Sequence, residues 1–152
     1  MRRLNSAPDI DRFRSILKTK GLKATPQRLA VHEAMLAMGH ASADMVREWI
    51  LGKGKVAITV ASVYNILSQL TAMGLYRIIP STGGVVWYDS LTKPHLHVYN
   101  RKKNEFKDLE DDEFMSRLQA YFKENPPKGY KVDEIDVLLT CHRSRNTKNS
   151  RI

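Results

Sequence analysis

Apolar positions in the first half of the chain recur at helical spacing, broken by glycine and capping residues. Within residues 9–20, Ile10, Phe13, Ile16 and Leu17 predict one helical face, and Gly21 stops the run. Thr25-Pro26 predicts a helix start, with Thr as N-cap and Pro at the first helical position. The helix that follows would bury Val31, Ala34, Met35 and Met38 and end at Gly39, with His32 off the apolar face and solvated. His40 falls in the short link Gly39-His40-Ala41, before a helix capped by Ser42 that carries Val46, Trp49 and Ile50 on one side. After the break Gly52-Lys53-Gly54-Lys55, Thr59 opens a helix over 59–73 that Gly74 closes, with Val60, Val63, Leu67 and Leu70 as its buried stripe. β-branched and aromatic runs then flank Ser81-Thr82-Gly83-Gly84, which predicts a hairpin.

From residue 95 the period changes. His95–Tyr99 and Glu105–Leu109 predict two strands joined by the polar loop Asn100–Asn104. Acidic Glu110–Glu113 suits a helix start, and Phe114, Leu118, Tyr121 and Phe122 mark its apolar face before Asn125-Pro126-Pro127 ends it. Tyr130–Thr140 alternates as a strand, with Ile135, Val137 and Leu139 on one side. The expected fold class is α+β. A winged helix-turn-helix DNA-binding domain (residues 1–89) precedes a hinge (90–94), a small α/β dimerisation domain (95–141) and a basic disordered tail (142–152). About fifty residues make a small core to stand alone, so the second domain is expected to bury a face against a second copy.

Charge sharpens this division. The chain has 152 residues, 42% of them hydrophobic, and a net charge of +9. Basic residues outnumber acidic ones 12 to 6 in residues 1–89, whereas residues 90–141 hold 9 basic and 10 acidic. Arg143, Arg145, Lys148 and Arg151 follow without an acid. The excess favours a polyanion, because binding phosphates releases their counterions. On the helix at 59–73 the outer residues Ala61, Tyr64, Asn65 and Ser68 are small, aromatic or amide. A helix that merely faced water would carry Lys and Glu. Small side chains allow close approach to DNA, and an amide can read a base edge. No apolar run is long enough to span a membrane, and no apolar segment follows Met1-Arg-Arg-Leu-Asn, so the expected location is the cytoplasm. Cys141 is the only cysteine, which excludes an internal disulfide and a cysteine zinc cage.

The candidate chemistry lies in Trp87–Asp108. His95 and His97 are two apart on an expected strand, so they face the same way roughly 6–7 Å apart along it and can close on one metal ion at about 2.1 Å each. Asp89 and Asp108, each at the end of an expected strand, bracket them. Taken alone, one H-x-H on a strand is more often surface or packing than a ligand pair.

In order and spacing, several stretches resemble the ferric uptake regulator family of bacterial metal-dependent repressors. They are Leu22-Lys23-Ala24-Thr25-Pro26-Gln27-Arg28, His40-Ala41-Ser42-Ala43-Asp44, Ser62-Val63-Tyr64-Asn65-Ile66-Leu67, Tyr88-Asp89 and Pro94-His95-Leu96-His97. The likeness covers about residues 12–141. It implies a homodimer on a palindromic double-stranded operator, with a regulatory metal held by His40, Asp89, His95, His97 and Asp108. It also implies major-groove reading by Ala61, Ser62, Tyr64, Asn65 and Ser68, and phosphate or minor-groove contacts by Lys23 and Arg28. Such a donor set suits Fe(II) or Mn(II), although Zn(II) could be trapped in purified protein. Asp108, where the iron-sensing branch usually has Glu, resembles the peroxide-responsive branch. The likeness to that branch implies oxidation of His40 and His95. There are two departures. The family's two C-x-x-C pairs are replaced by Asn100 and Lys103 and by Cys141 and Ser144, which implies no cysteine-bound structural zinc. Asn65 also stands where Arg is common.

The expected function is metal-dependent repression of transcription with peroxide as the signal; the alternative is an iron- or haem-responsive regulator. A hydrolytic metalloenzyme would need a general base and a substrate pocket, and no Glu or Ser is placed for them. A winged-helix scaffold that senses nothing would bind its DNA without metal.

Overall fold

The computed structural model describes residues 7–80 and 83–144. The chain divides between Lys93 and Pro94 into two compact units. The first contains α1 (Ile10–Thr19), α2 (Pro26–Met38), β1 (His40–Ala41), α3 (Ala43–Lys53), α4 (Val60–Ala72), β2 (Arg77–Ile79) and β3 (Trp87–Asp89). The second contains β4 (Leu96–Asn100), β5 (Glu105–Leu109), α5 (Asp112–Glu124) and β6 (Val137–Cys141). This is the expected α+β class: a winged-helix unit followed by a small α/β unit.

Each helix start has the capping chemistry that exposed N–H groups require. Asp9, Thr25, Ser42, Thr59 and Asp111 accept from the third residue beyond, at 2.8, 3.2, 3.3, 3.1 and 2.9 Å. Gly39 turns α2 directly into β1 at φ +76°, where a side chain would be strained. Phe13, Leu17, Val31, Met35, Val46 and Ile50 pack with Val63, Leu67 and Leu70 into one core. The last three recur at i, i+4 and i+7 of α4, which leaves the opposite face of that helix in solvent.

Several expectations change here. His32 is not solvated but fully buried, stacked on Phe13 at 4.0 Å between ring centroids. Its ring nitrogens meet the Tyr76 hydroxyl (2.5 Å) and the Pro8 carbonyl (2.6 Å). Those two hydrogen bonds offset the cost of burying the imidazole. Val60 is not in the buried stripe. It is exposed on the first turn of α4, because at three residues before Val63 it projects beyond the edge of the core. The link at His40 is a strand, β1, which makes the wing sheet three-stranded in the order β1-β3-β2. β2 and β3 pair antiparallel as the expected hairpin, with Ile79 opposite Trp87. Ser81 and Thr82 of the expected turn lie outside the described residues, as does the expected tail from Arg145 onward.

In the second unit the sheet order is β5-β4-β6. β4 pairs antiparallel with β5 and parallel with β6, so α5 belongs to the crossover that a parallel pair needs. The expected strand over 130–140 is regular only at Val137–Cys141. The helix expected from Glu110 starts at Asp112. Its buried residue is Met115, while Phe114 and Tyr121 of the expected apolar face are exposed in the protomer, as is Leu139 on β6. Within the expected hinge, the Ser90 N–H donates to the Gly39 carbonyl (3.0 Å) and the Leu91 N–H to the Asp89 carboxylate (2.9 Å).

Candidate metal centre and nucleic-acid face

In the first unit, β1 and β3 run antiparallel with His40 opposite Asp89. Direct cross-strand partners bring their side chains together. His40 Nε2 lies 3.6 Å from Asp89 Oδ2, and the Asp89 side chain is fully buried. Its other oxygen accepts the Leu91 N–H, which fixes the carboxylate plane.

In the second unit, β4 carries His95-Leu96-His97 and β5 carries Asp108 opposite His97. The Nε2 atoms of His95 and His97 are 2.9 Å apart. Asp108 Oδ1 lies 3.0 Å from the first and 3.7 Å from the second. Both rings are buried, and the His97 and Phe106 rings stand nearly perpendicular with centroids 6.1 Å apart. Two imidazole nitrogens and a carboxylate oxygen this close can hold one divalent cation. The donors present therefore fit a hard or borderline metal such as Fe(II), Mn(II) or Zn(II). His40 and Asp89 in one unit and His95, His97 and Asp108 in the other are two ligand groups. Only residues 90–94 separate Asp89 from His95, a reach of about 20 Å at most.

Asn100 and Cys141 are register partners across β4 and β6. The Asn100 side-chain oxygen accepts from the backbone of Lys102 and Lys103 (3.1 and 3.3 Å), so it closes the β4–β5 turn.

On the face of α4 expected to meet DNA, Ala61, Tyr64, Asn65 and Ser68 are exposed. Ser62 is partly buried and serves the helix start: its hydroxyl accepts from Thr59 at 3.0 Å. Ser68 Oγ lies 3.5 Å from the Tyr88 hydroxyl, whose pKa burial raises. Lys23 is exposed. Arg28 is partly buried, and its guanidinium donates to the Lys23 carbonyl (2.9 Å) and to Gln69 on α4 (3.3 Å). It braces α4 against the loop before α2, a role its sequence position does not announce. Among the described residues no helix is long and apolar enough to cross a membrane.

Residues 19–139 match the sequence profile of the ferric uptake regulator family. Ferric uptake regulation protein 1 of Mycolicibacterium fortuitum is 30% identical over 127 residues, covering 83% of this chain and 76% of that protein. The crystal structure of the Vibrio cholerae ferric uptake regulator has the same fold, with a TM-score of 0.71 at 22% identity over 86% of this chain and 99% of that one. The Campylobacter jejuni peroxide stress regulator gives 0.65 at 27% identity over 86% and 96%.

Proposed function

The chain belongs to the ferric uptake regulator family, and from that premise we propose that one Fe(II) or Mn(II) ion, held jointly by His40, Asp89, His95, His97 and Asp108, controls its grip on DNA. Members of the family are transcription regulators, not enzymes, and this chain is a metal-responsive, DNA-binding one. In our reading residues 1–89 are the DNA-binding half, 90–94 the hinge and 95–141 the dimerisation half of a homodimer on a palindromic operator. The observation that carries the reading is the pair of ligand groups. His40 beside Asp89 belongs to the half that reads DNA, and His95, His97 and Asp108 belong to the half that dimerises. An ion bound by both groups favours one arrangement of the halves over others. It thereby shifts the population toward the form whose two reading helices match the operator.

The signal we propose is hydrogen peroxide. Fe(II) held there would activate the O–O bond, chemistry that Mn(II) supplies far less readily. Overall, one peroxide oxygen would add to an imidazole carbon of His40 or His95, the ring would give up the two electrons that reduce the other oxygen to water, and the iron would end as Fe(II). The altered imidazole is a poorer ligand, so the coupling between halves is lost and DNA is released. Asp108 supports this branch, since the iron-sensing branch usually has Glu there. Cys141 lies beyond the ligand stretch, and the chemistry needs no thiol. The turn-closing role of Asn100 and the single cysteine support a protein without cysteine-bound zinc. The second reading, an iron- or haem-responsive regulator, is favoured by the Mycolicibacterium relative, named for ferric uptake.

Peptide mass spectrometry after peroxide treatment tests the choice. A gain of one oxygen on peptides containing His40 or His95 is expected in Fe(II)-loaded protein and not in Mn(II)-loaded protein, with parallel loss of operator binding. Iron-loaded protein that keeps both histidines intact and stays on DNA would favour the iron or haem reading.

A further inference from the structure

We infer that Val60 is a base-reading residue, contacting the 5-methyl group of a thymine in the major groove. The inference rests on α4 being the reading helix and extends it to a side chain outside the expected DNA face. Single exposed valines are ordinary. The setting of Val60 is not. The thirteen residues of α4 include no Asp, Glu, Lys or Arg, whereas each of the other four helices among the described residues carries charged residues. Solvation of a polar face therefore does not explain its outer side. Val60 is 41% exposed and Tyr64, one turn on, 47%, so the two form a continuous apolar strip at the start of the helix. The strip borders a cleft of about 440 Å³ between α4, the start of α3 and the loop before β3. Val85, 50% exposed, and Val86 wall the cleft on the loop side.

Among the described residues the lining of this cleft includes Asp44 and no lysine or arginine. An acid without a cation repels phosphate, so the DNA backbone is a poor occupant. The base edges offer one apolar group in the major groove, the thymine C5-methyl, and small apolar side chains are its usual contact. Placed against Val60 and shielded by Tyr64, that methyl leaves water without displacing any polar group.

The experiment uses full-length, Mn(II)-loaded protein and the duplex it recovers from a randomised library. Each thymine is replaced singly by 2′-deoxyuridine, which removes only the methyl. One thymine per half-site is expected to lose about fourfold in affinity on replacement, the value of burying one such carbon. With Val60→Ala, whose exposed site leaves the core intact, the thymine duplex should bind correspondingly less well, and the uracil replacement at that position should then cost nothing further. If no thymine shows a loss that depends on Val60, while Tyr64→Ala still abolishes operator selectivity, this inference fails and the reading-helix assignment stands. If the recovered and random duplexes bind wild-type protein equally, both fail.

Discussion

His32 shows how one side chain can make the first unit sensitive to acid. Burial is the largest influence on its pKa and lowers it from the ordinary value of 6.5, against the opposing pull of the Pro8 carbonyl, Asp9 and Glu33. The folded protein thus keeps His32 neutral where the unfolded chain already binds a proton. Its contribution to stability is full above about pH 6.5 and is lost as the pH falls through the lowered folded value. Denaturant unfolding at pH 7.5 and 5.5, compared with His32→Leu, isolates this term from the metal-ligand histidines. The wild type should lose more stability between the two pH values than the variant does. The variant should be weaker by about 1–3 kcal/mol at pH 7.5, since Tyr76 and Pro8 lose their buried partner. Equal pH slopes would show that His32 does not titrate in the unfolding range. The residue escaped the sequence pattern because a histidine off the apolar stripe of α2 looks solvated. It is covered by residues distant along the chain, Phe13 of α1 stacked on the ring and Pro8 and Tyr76 bonded to it.

At the scale of elements, α4 and the second unit's exposed apolar residues make separate predictions. Tyr64 on the outer face of α4 is exposed, so Tyr64→Ala should leave the fold intact. It should weaken binding to the operator more than to random duplex, measured by competition at fixed salt. Equal losses on both duplexes would mean that α4 does not read sequence. In the second unit Phe114 (42%) and Leu139 (40%) remain exposed in the protomer, a cost that a dimer would remove. Leu118 and Val137 are partly buried within the unit already. Leu139→Glu is expected to yield a folded monomer by sedimentation, with unchanged circular dichroism. A dimer that persists would move the interface away from β6. The helical stripes were legible because a 3.6-residue period survives without tertiary information. The start of β6 was not: residues 130–136 alternate in hydrophobicity, but pairing with β4 begins only at Val137.

For the whole molecule, the proposed ion couples halves whose cores do not depend on it. Chelation is then expected to abolish operator binding while leaving the dimer, on our proposal that the second unit is held together without cysteine-bound zinc. Sedimentation and operator titration on the same chelated sample check this. Monomers would reveal a structural metal. Lys23 is exposed in the loop before α2, which Arg28 braces against α4. Lys23→Ala should reduce the slope of log affinity against log salt by roughly 0.9 for each phosphate contact removed, or about two per dimer. An unchanged slope would place Lys23 away from the backbone.

Capping residues, apolar periods and the charge division between halves were properties of the sequence, because each acts over a few neighbouring residues. They were enough for the order of helices and the winged-helix class, while the five candidate ligands as a set came only from the resemblance to the family. Tertiary structure decided which side chains meet. His40 is in a link by sequence, and becomes a partner of Asp89 only because β1 pairs with a strand some fifty residues away. His97 faces Asp108 because the register of β4 on β5 sets them opposite, and a one-residue slip would turn one of them to the other face of the sheet. Val60 and His32 exchanged their expected places for the same physical reason. The burial of a residue near the edge of a helical stripe depends on what the next element covers, and local periodicity does not contain that information.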